Sequence, residues 1–135
     1  MRQLLAAALL ASALPLTAAA CGVCIEDKVA ATYDFQVVSH ATRNGHTVLF
    51  YELVGPVAPD PKTAALIAAA SAKAAGVEHD SVRVSLQQAA LSVVVDAKRA
   101  SPTEMKNRIE QKLLPWRLGL KLLRTIENGK LSAPA

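Results

Sequence analysis

The sequence is poor in cysteine and in aromatic residues. Its 135 residues include two cysteines, one tryptophan, two tyrosines and two phenylalanines. A complete zinc pattern of the CxxC type needs a second cysteine pair, so these two cysteines cannot form a closed structural zinc site by themselves. Any thiol chemistry must therefore be carried by Cys21 and Cys24.

Motifs of several enzyme classes are also missing. The sequence contains no Ser-His-Asp order, no glycine-rich phosphate-binding loop and no HExxH pair. Hydrolase and nucleotide chemistry therefore have no support, and we expect a binding protein rather than an enzyme.

After the first twenty residues, the sequence has no apolar run long enough to cross a bilayer. Residues 1–20 have the parts of a secretory signal, with Arg2 at the start, an apolar run over residues 4–14, and three alanines before the cleavage point. That run is too short to span a membrane. We therefore expect a signal peptide over residues 1–20, export to the bacterial periplasm, and a mature chain without a transmembrane span.

Cleavage after Ala20 would make Cys21 the first residue of the mature chain. Ala-Ala-Ala-Cys loosely resembles a bacterial lipoprotein processing site, although Ala18 stands where a large aliphatic residue is usual. Lipidation would anchor the protein at Cys21 and consume its thiol. Cleavage one or two residues earlier would preserve both thiols.

Cys21 and Cys24 form a CxxC motif at the start of a predicted helix. This spacing sets two sulfurs one helical turn apart, close enough to share a metal ion or to form a disulfide. Glu26 and Asp27 follow in the first turn, and two sulfurs beside two carboxylates favour a cation over an activated nucleophile. A helix over residues 21–45 is indicated by an apolar stripe at four-residue spacing, formed by Ile25, Val29, Tyr33, Val37 and Ala41.

Residues 46–126 predict a β-α-β-β-α-β order. The sequence indicates a strand over residues 46–54, a helix over 62–75, a hairpin over 81–96, a helix after Ser101, and a last strand from Trp116. This order predicts an α+β, ferredoxin-like sandwich of a four-stranded antiparallel sheet with two helices on one face. We expect the additional N-terminal helix to cover the other face or an edge, and residues 127–135 to form a flexible tail.

The same region resembles heavy-metal-associated, copper-chaperone-like domains. The resemblance covers residues 46–126 and is clearest in Val82-x-Val84, in Leu91–Asp96, and in Ser101-Pro102-x-Glu104-Met105 with Ile109. It implies a ferredoxin-like fold and a role in metal handling. The family carries its metal on a CxxC in the loop after the first strand, whereas residues 55–61 of this chain contain no sulfur. The resemblance therefore assigns no ligand by position.

The formal net charge is +4, and the basic surplus lies late in the chain. Residues 96–130 contain nine lysines and arginines against four acids. Nucleic acid is not an expected partner, because an exported protein meets little of it and aromatic residues for stacking are scarce. A solvated surface, or attraction to anionic lipid, accounts better for this charge.

We expect a metal site made of Cys21, Cys24, Glu26 and Asp27. Two thiolates suit Cu(I), whereas zinc would also need carboxylates, water or a second chain. His40 lies 16 residues beyond Cys24, about 24 Å along one straight helix, so we do not expect it to join the site. The expected partners are the metal ion and a membrane transporter or another exported metal protein. The alternatives are a thiol–disulfide exchange protein, and an interaction module with a structural or lipidated cysteine.

Overall fold

The computed structural model describes residues 24–134. The predicted signal peptide and Cys21 lie outside these residues. The described chain contains four α-helices, a short 3₁₀ turn at Leu114–Trp116 and five strands. The helices are α1 (Ile25–Thr32), α2 (Phe35–Arg43), α3 (Pro61–Ala72) and α4 (Pro102–Lys112). The strands are β1 (Thr47–Val54), β2 (Arg83–Ser85), β3 (Ala90–Val95), β4 (Gly119–Glu127) and β5 (Lys130–Ser132).

The strands form one antiparallel sheet in the order β2-β3-β1-β4-β5. Its first four strands, with α3 and α4 as connections, have the ferredoxin-like connectivity that the sequence predicts. The predicted α+β class and antiparallel sheet are therefore confirmed. Since β1 and β3 are the inner strands of that arrangement, their runs of apolar residues are covered on both faces.

The larger core lies between the sheet and the helices α3 and α4. Both helices begin where their caps predict: Asp60 accepts backbone N–H bonds from Lys62 and Thr63, and Ser101 forms a capping box with Glu104. The side chains that the two helices bury against the sheet include Ile67, Met105, Ile109 and Leu113, all without solvent exposure. Leu66 of α3 is half exposed.

The opposite face of the sheet is covered by α1 and α2. A second, smaller core joins these helices to the sheet, and it consists of Val29, Val38, Ala41, Val48, Phe50, Val94 and Ile126. The expectation that the N-terminal helical segment packs on this face is therefore confirmed.

The prediction of one N-terminal helix is wrong, because the segment is broken into α1 and α2. Tyr33 and Asp34 are extended, with φ/ψ of −69°/123° and −125°/113°. The Asp34 carboxylate accepts N–H bonds from Gln36 and Val37, and so caps the second helix. The apolar stripe continues through the break, so the stripe does not indicate it. Asp34 does indicate it, because aspartate is a preferred N-cap residue.

The predicted tail also differs from the structure. β4 turns back at Asn128 and Gly129, both at positive φ, and β5 pairs with it at the edge of the sheet. In β4 the pairing with β1 shifts between Phe50 and Tyr51, which face Arg124 and Leu122. Leu123 is therefore an extra residue, a β-bulge.

Candidate functional site

Cys24 lies at the N-cap of α1, at one end of the sheet. Its backbone is extended, with φ −62° and ψ 137°, and the residue is exposed. One turn later, the Lys28 ammonium donates to the Gln88 carbonyl at 2.6 Å, in the β2–β3 turn. Because that turn lies beside the C-terminal end of β1, α1 begins at this end of the sheet. Cys24 is therefore exposed at the end of the sheet where β1 ends.

The two acids predicted to flank the sulfurs have different surroundings. Glu26 accepts a charged hydrogen bond from Arg124 of β4 at 2.9 Å, so its charge is matched by a structural partner. Asp27 is exposed and forms no ion pair with any residue in the described range 24–134. It lies three positions after Cys24, the spacing that brings side chains to one side of a helix. Asp27 is therefore the acid that remains for a cation near Cys24.

The loop after β1, residues 55–61, lies at the same end of the sheet. An added Cβ at Gly55 would meet the Arg117 carbonyl oxygen at 3.0 Å, so the loop packs against the chain before β4. The loop offers no sulfur or imidazole, and its carboxylate, Asp60, is used as the α3 cap. It does not fit a thiophilic ion. Within residues 24–134, no group of three or more His, Cys, Asp or Glu side chains is placed to hold a metal ion.

The histidines gather at the opposite end of the sheet, before β1. Glu78 lies between two imidazoles, with Oε1 3.3 Å from His40 Nδ1 and Oε2 3.0 Å from His46 Nδ1. The Glu78 backbone N–H donates to Val94, which pairs with Val48 near the start of β1. His40 and Cys24 therefore lie at different ends of the fold, as the sequence predicts, although the helix between them is broken.

A cavity of about 550 Å³ opens beside this histidine cluster. One wall is the outer side of α2, with Phe35, Ser39 and Arg43 spaced one turn apart. The other wall is the segment before β2, and Val94 forms part of the floor. The sequence alone does not indicate this site, because the cavity forms only where α2 packs on the sheet next to the segment that hydrogen-bonds along the edge of β3.

Asp34 and Arg83 fix the two walls relative to each other. Arg83 Nε donates to Asp34 Oδ2 at 3.0 Å, and its Nη1 donates to the carbonyls of Asp80 and Val82. The N–H of Val37 first, and the Arg83 guanidinium second, lower the pKa of Asp34 from its usual value. The carboxylate is therefore ionised at neutral pH, and it holds the start of α2 to the segment before β2.

No helix in the described part of the chain combines the length and apolar character needed to cross a bilayer. This finding concerns residues 24–134 alone.

Comparisons with known proteins give one structural similarity. No protein-family model and no curated protein matches the chain. A solved structure described as the crystal structure of a copper binding domain from HMA7, a P-type ATPase, is similar at a TM-score of 0.46 and 19% identity. The similarity covers 57% of this chain and 93% of that chain. Similarity at this level does not transfer the copper binding of that domain to this protein.

Proposed function

We propose that the protein binds a thiophilic metal ion, Cu(I), through Cys21 and Cys24. The observation that carries the proposal is the position of Cys24, exposed at the N-cap of α1 and three residues after the other cysteine. Two thiolates suit Cu(I), which accepts soft ligands at low coordination number. Export to the bacterial periplasm belongs to the same proposal, with another exported metal protein or a membrane transporter as the exchange partner.

The surroundings of Cys24 support a cation more than an activated nucleophile. The N-terminus of a helix attracts negative charge, which suits a thiolate. Glu26 is paired with Arg124, so it opposes that charge less than the sequence alone suggests. Asp27 keeps a carboxylate close by, and it can attract the ion without ligating it. Zinc would need at least two further ligands, and the described residues do not bring them together.

A Cu(I) titration of the reduced full chain, against a chromogenic Cu(I) chelator as competitor, tests this proposal. We expect a single tight site that is lost in Cys21→Ser and in Cys24→Ser, because one thiolate cannot hold the ion alone. Asp27→Asn should weaken binding by a few fold, since it removes a charge near the ion. His40→Gln is the matched control and should bind as the parent does.

Two results would overturn the proposal. One is equal Cu(I) binding by the parent and by Cys24→Ser, which would place the ion elsewhere. The other comes from the intact mass of the mature protein recovered from its native host. A product that begins after residue 24, or one acylated at Cys21, has no sulfur pair to bind with.

A further inference from the structure

The cavity beside α2 has the properties of a small-molecule site. Its volume of about 550 Å³ falls in the range of ligand pockets, which are mostly apolar with a few placed polar groups. Val37 of α2 and Val94 of β3 belong to its apolar lining, and polar side chains from both walls line it as well. It lies at the opposite end of the sheet from Cys24, so it is separate from the proposed metal site.

The charged groups of the cavity show what a ligand must carry. Glu78 forms a hydrogen bond with His46 and lies 3.3 Å from His40, and Asp80 lies 2.8 Å from His79. Arg83 is held by Asp34 and by two carbonyl groups. Arg43 also lines the cavity. Unlike the other charged residues of the lining, Arg43 forms no ion pair and no side-chain hydrogen bond within residues 24–134. Arg43 is therefore the cationic side chain of the lining that is left to pair with a ligand.

The far end of the same helix is apolar. Phe35 is the first residue of α2, lines the cavity and is 72% exposed. Phe35 and Arg43 are eight residues apart, which is about 12 Å along a helix at 1.5 Å per residue. An aromatic ring at one end and a guanidinium at the other form a binding surface of that length.

We propose that this cavity binds a small amphiphilic carboxylate. Its aryl or alkyl body lies over Val37 and Val94 and reaches Phe35, and its carboxylate pairs with Arg43. A guanidinium binds a carboxylate through two parallel hydrogen bonds, which fixes the orientation of the ligand as well as its charge. A neutral compound of the same shape would lose this contact.

Titration of 4-phenylbutyrate into the ¹⁵N-labelled full chain tests the proposal by NMR. We expect saturable shifts of amides on α2 and around Val94, and affinity at least about tenfold weaker for 4-phenylbutan-1-ol, since a hydrogen bond to a charged group contributes about 1.5–3 kcal/mol. Arg43→Gln should bind the acid and the alcohol alike. Arg99→Gln, which removes the same charge at an exposed site outside the cavity, should bind as the parent does.

A second variant tests the space in the cavity without changing its charge. Ser39→Phe places a large ring on the exposed wall of α2, and it should abolish binding of both compounds while the ¹⁵N spectrum stays that of a folded chain. Equal binding of the acid and the alcohol by the parent, shifts that do not saturate, or full binding by Ser39→Phe would each overturn the proposal. Cys24→Ser should leave this binding unchanged, so its result is independent of the metal titration.

Discussion

The two faces of the sheet differ in the amount of hydrophobic contact that holds their helices. Among residues 24–134, the cluster under α3 and α4 has fourteen buried hydrophobic residues, and the cluster under α1 and α2 has seven. Polar links between helices and sheet occur on both faces. On the larger face they join Tyr51 to Pro102 and Leu120 to Glu110, and on the smaller face α1 and α2 are joined to the sheet and its turns. These links are Lys28 to Gln88, Ser92 to Thr32, Arg83 to Asp34, and Arg124 to Glu26.

Because its hydrophobic core is the smaller one, we expect the layer formed by α1 and α2 to be the less stable of the two. Free energies of local opening follow the apolar contacts of a segment, and layers with few of them open without global unfolding. The cavity belongs to this layer, and Cys24 stands at its beginning. Both proposed sites therefore belong to the layer with the smaller hydrophobic core.

The largest expected effect separates the two cores directly. Ile109→Ala should lower the free energy of unfolding by about 2–5 kcal/mol, because Ile109 is fully buried between α4 and the sheet. Val38→Ala, in the smaller core, should cost roughly 1–2 kcal/mol. Native-state hydrogen exchange should show faster exchange everywhere in Ile109→Ala, but mainly in α1 and α2 in Val38→Ala. Equal exchange patterns in the two variants would mean that the layers unfold together.

An intermediate effect is expected from Lys28, which is 4% exposed. Lys28→Met keeps the length of the side chain but removes the ammonium that donates to Gln88 and lies 3.9 Å from Glu52. The carbonyl then loses a buried partner, which should cost about 1–3 kcal/mol in denaturant unfolding. Lys62→Met is the control at an exposed position of α3, and we expect it to change stability by less than about 0.5 kcal/mol. Equal stability of both variants would remove Lys28 from the contacts that hold the layer.

The smallest expected effect is a pH dependence at the start of α2. The pKa of Asp34 is lowered by the Val37 N–H and by Arg83, so its contribution is present above the ordinary aspartate pKa of about 4. That contribution is lost as the pH falls through the lower, folded-state pKa. Asp34→Asn keeps a good capping residue but removes the charge. The melting temperature of this variant should therefore fall less on acidification than that of the parent.

Asp60→Asn provides the comparison on the rigid side of the sheet. The pKa of Asp60 is also lowered, by the Thr63 hydroxyl and the Thr63 N–H, so its contribution is lost in the same direction. In the part of the chain that the structure describes, the hydrogen bonds of the Asp60 carboxylate are local, to Lys62 and Thr63. Acidification should therefore lower the protection factors of α2 amides, which are corrected for the intrinsic exchange rate, in the Asp60 variant but not in the Asp34 variant. The opposite result would show that Asp34 acts only as a local cap.

The sequence predicts those parts of the fold that depend on the order of neighbouring residues. Ser101-Pro102 and Asp60-Pro61 mark helix starts by their own hydrogen-bonding chemistry, and alternation in β1 assigns Phe50 and Tyr51 to opposite faces. The break at Asp34 is less visible, because Tyr33 continues the apolar stripe. Leu66 faces solvent for a related reason, since an alanine-rich helix has no strongly apolar side to orient it.

The candidate sites are less predictable for a different physical reason. Cys24 can be identified because CxxC is a local motif, although its position at one end of the sheet depends on how α1 packs. Glu78 and Arg43 lie 35 residues apart in sequence, and nothing in either segment indicates that they share a cavity. Such a site requires α2 to be packed on the sheet beside the segment before β2.

The extra residue at Leu123 makes β4 a strand of two halves. Before it, Leu120 and Leu122 face α3 and α4; after it, Arg124 and Ile126 face α1 and α2. Deleting Leu123 would shift the C-terminal half by one position, so that Thr125 would take the place of Arg124 opposite Phe50. The guanidinium would then be directed away from Glu26. The bulge thus lets one strand contribute side chains to the larger core before Leu123. After Leu123 the same strand places Arg124 on the opposite face, where it pairs with Glu26 of the helix that begins after Cys24.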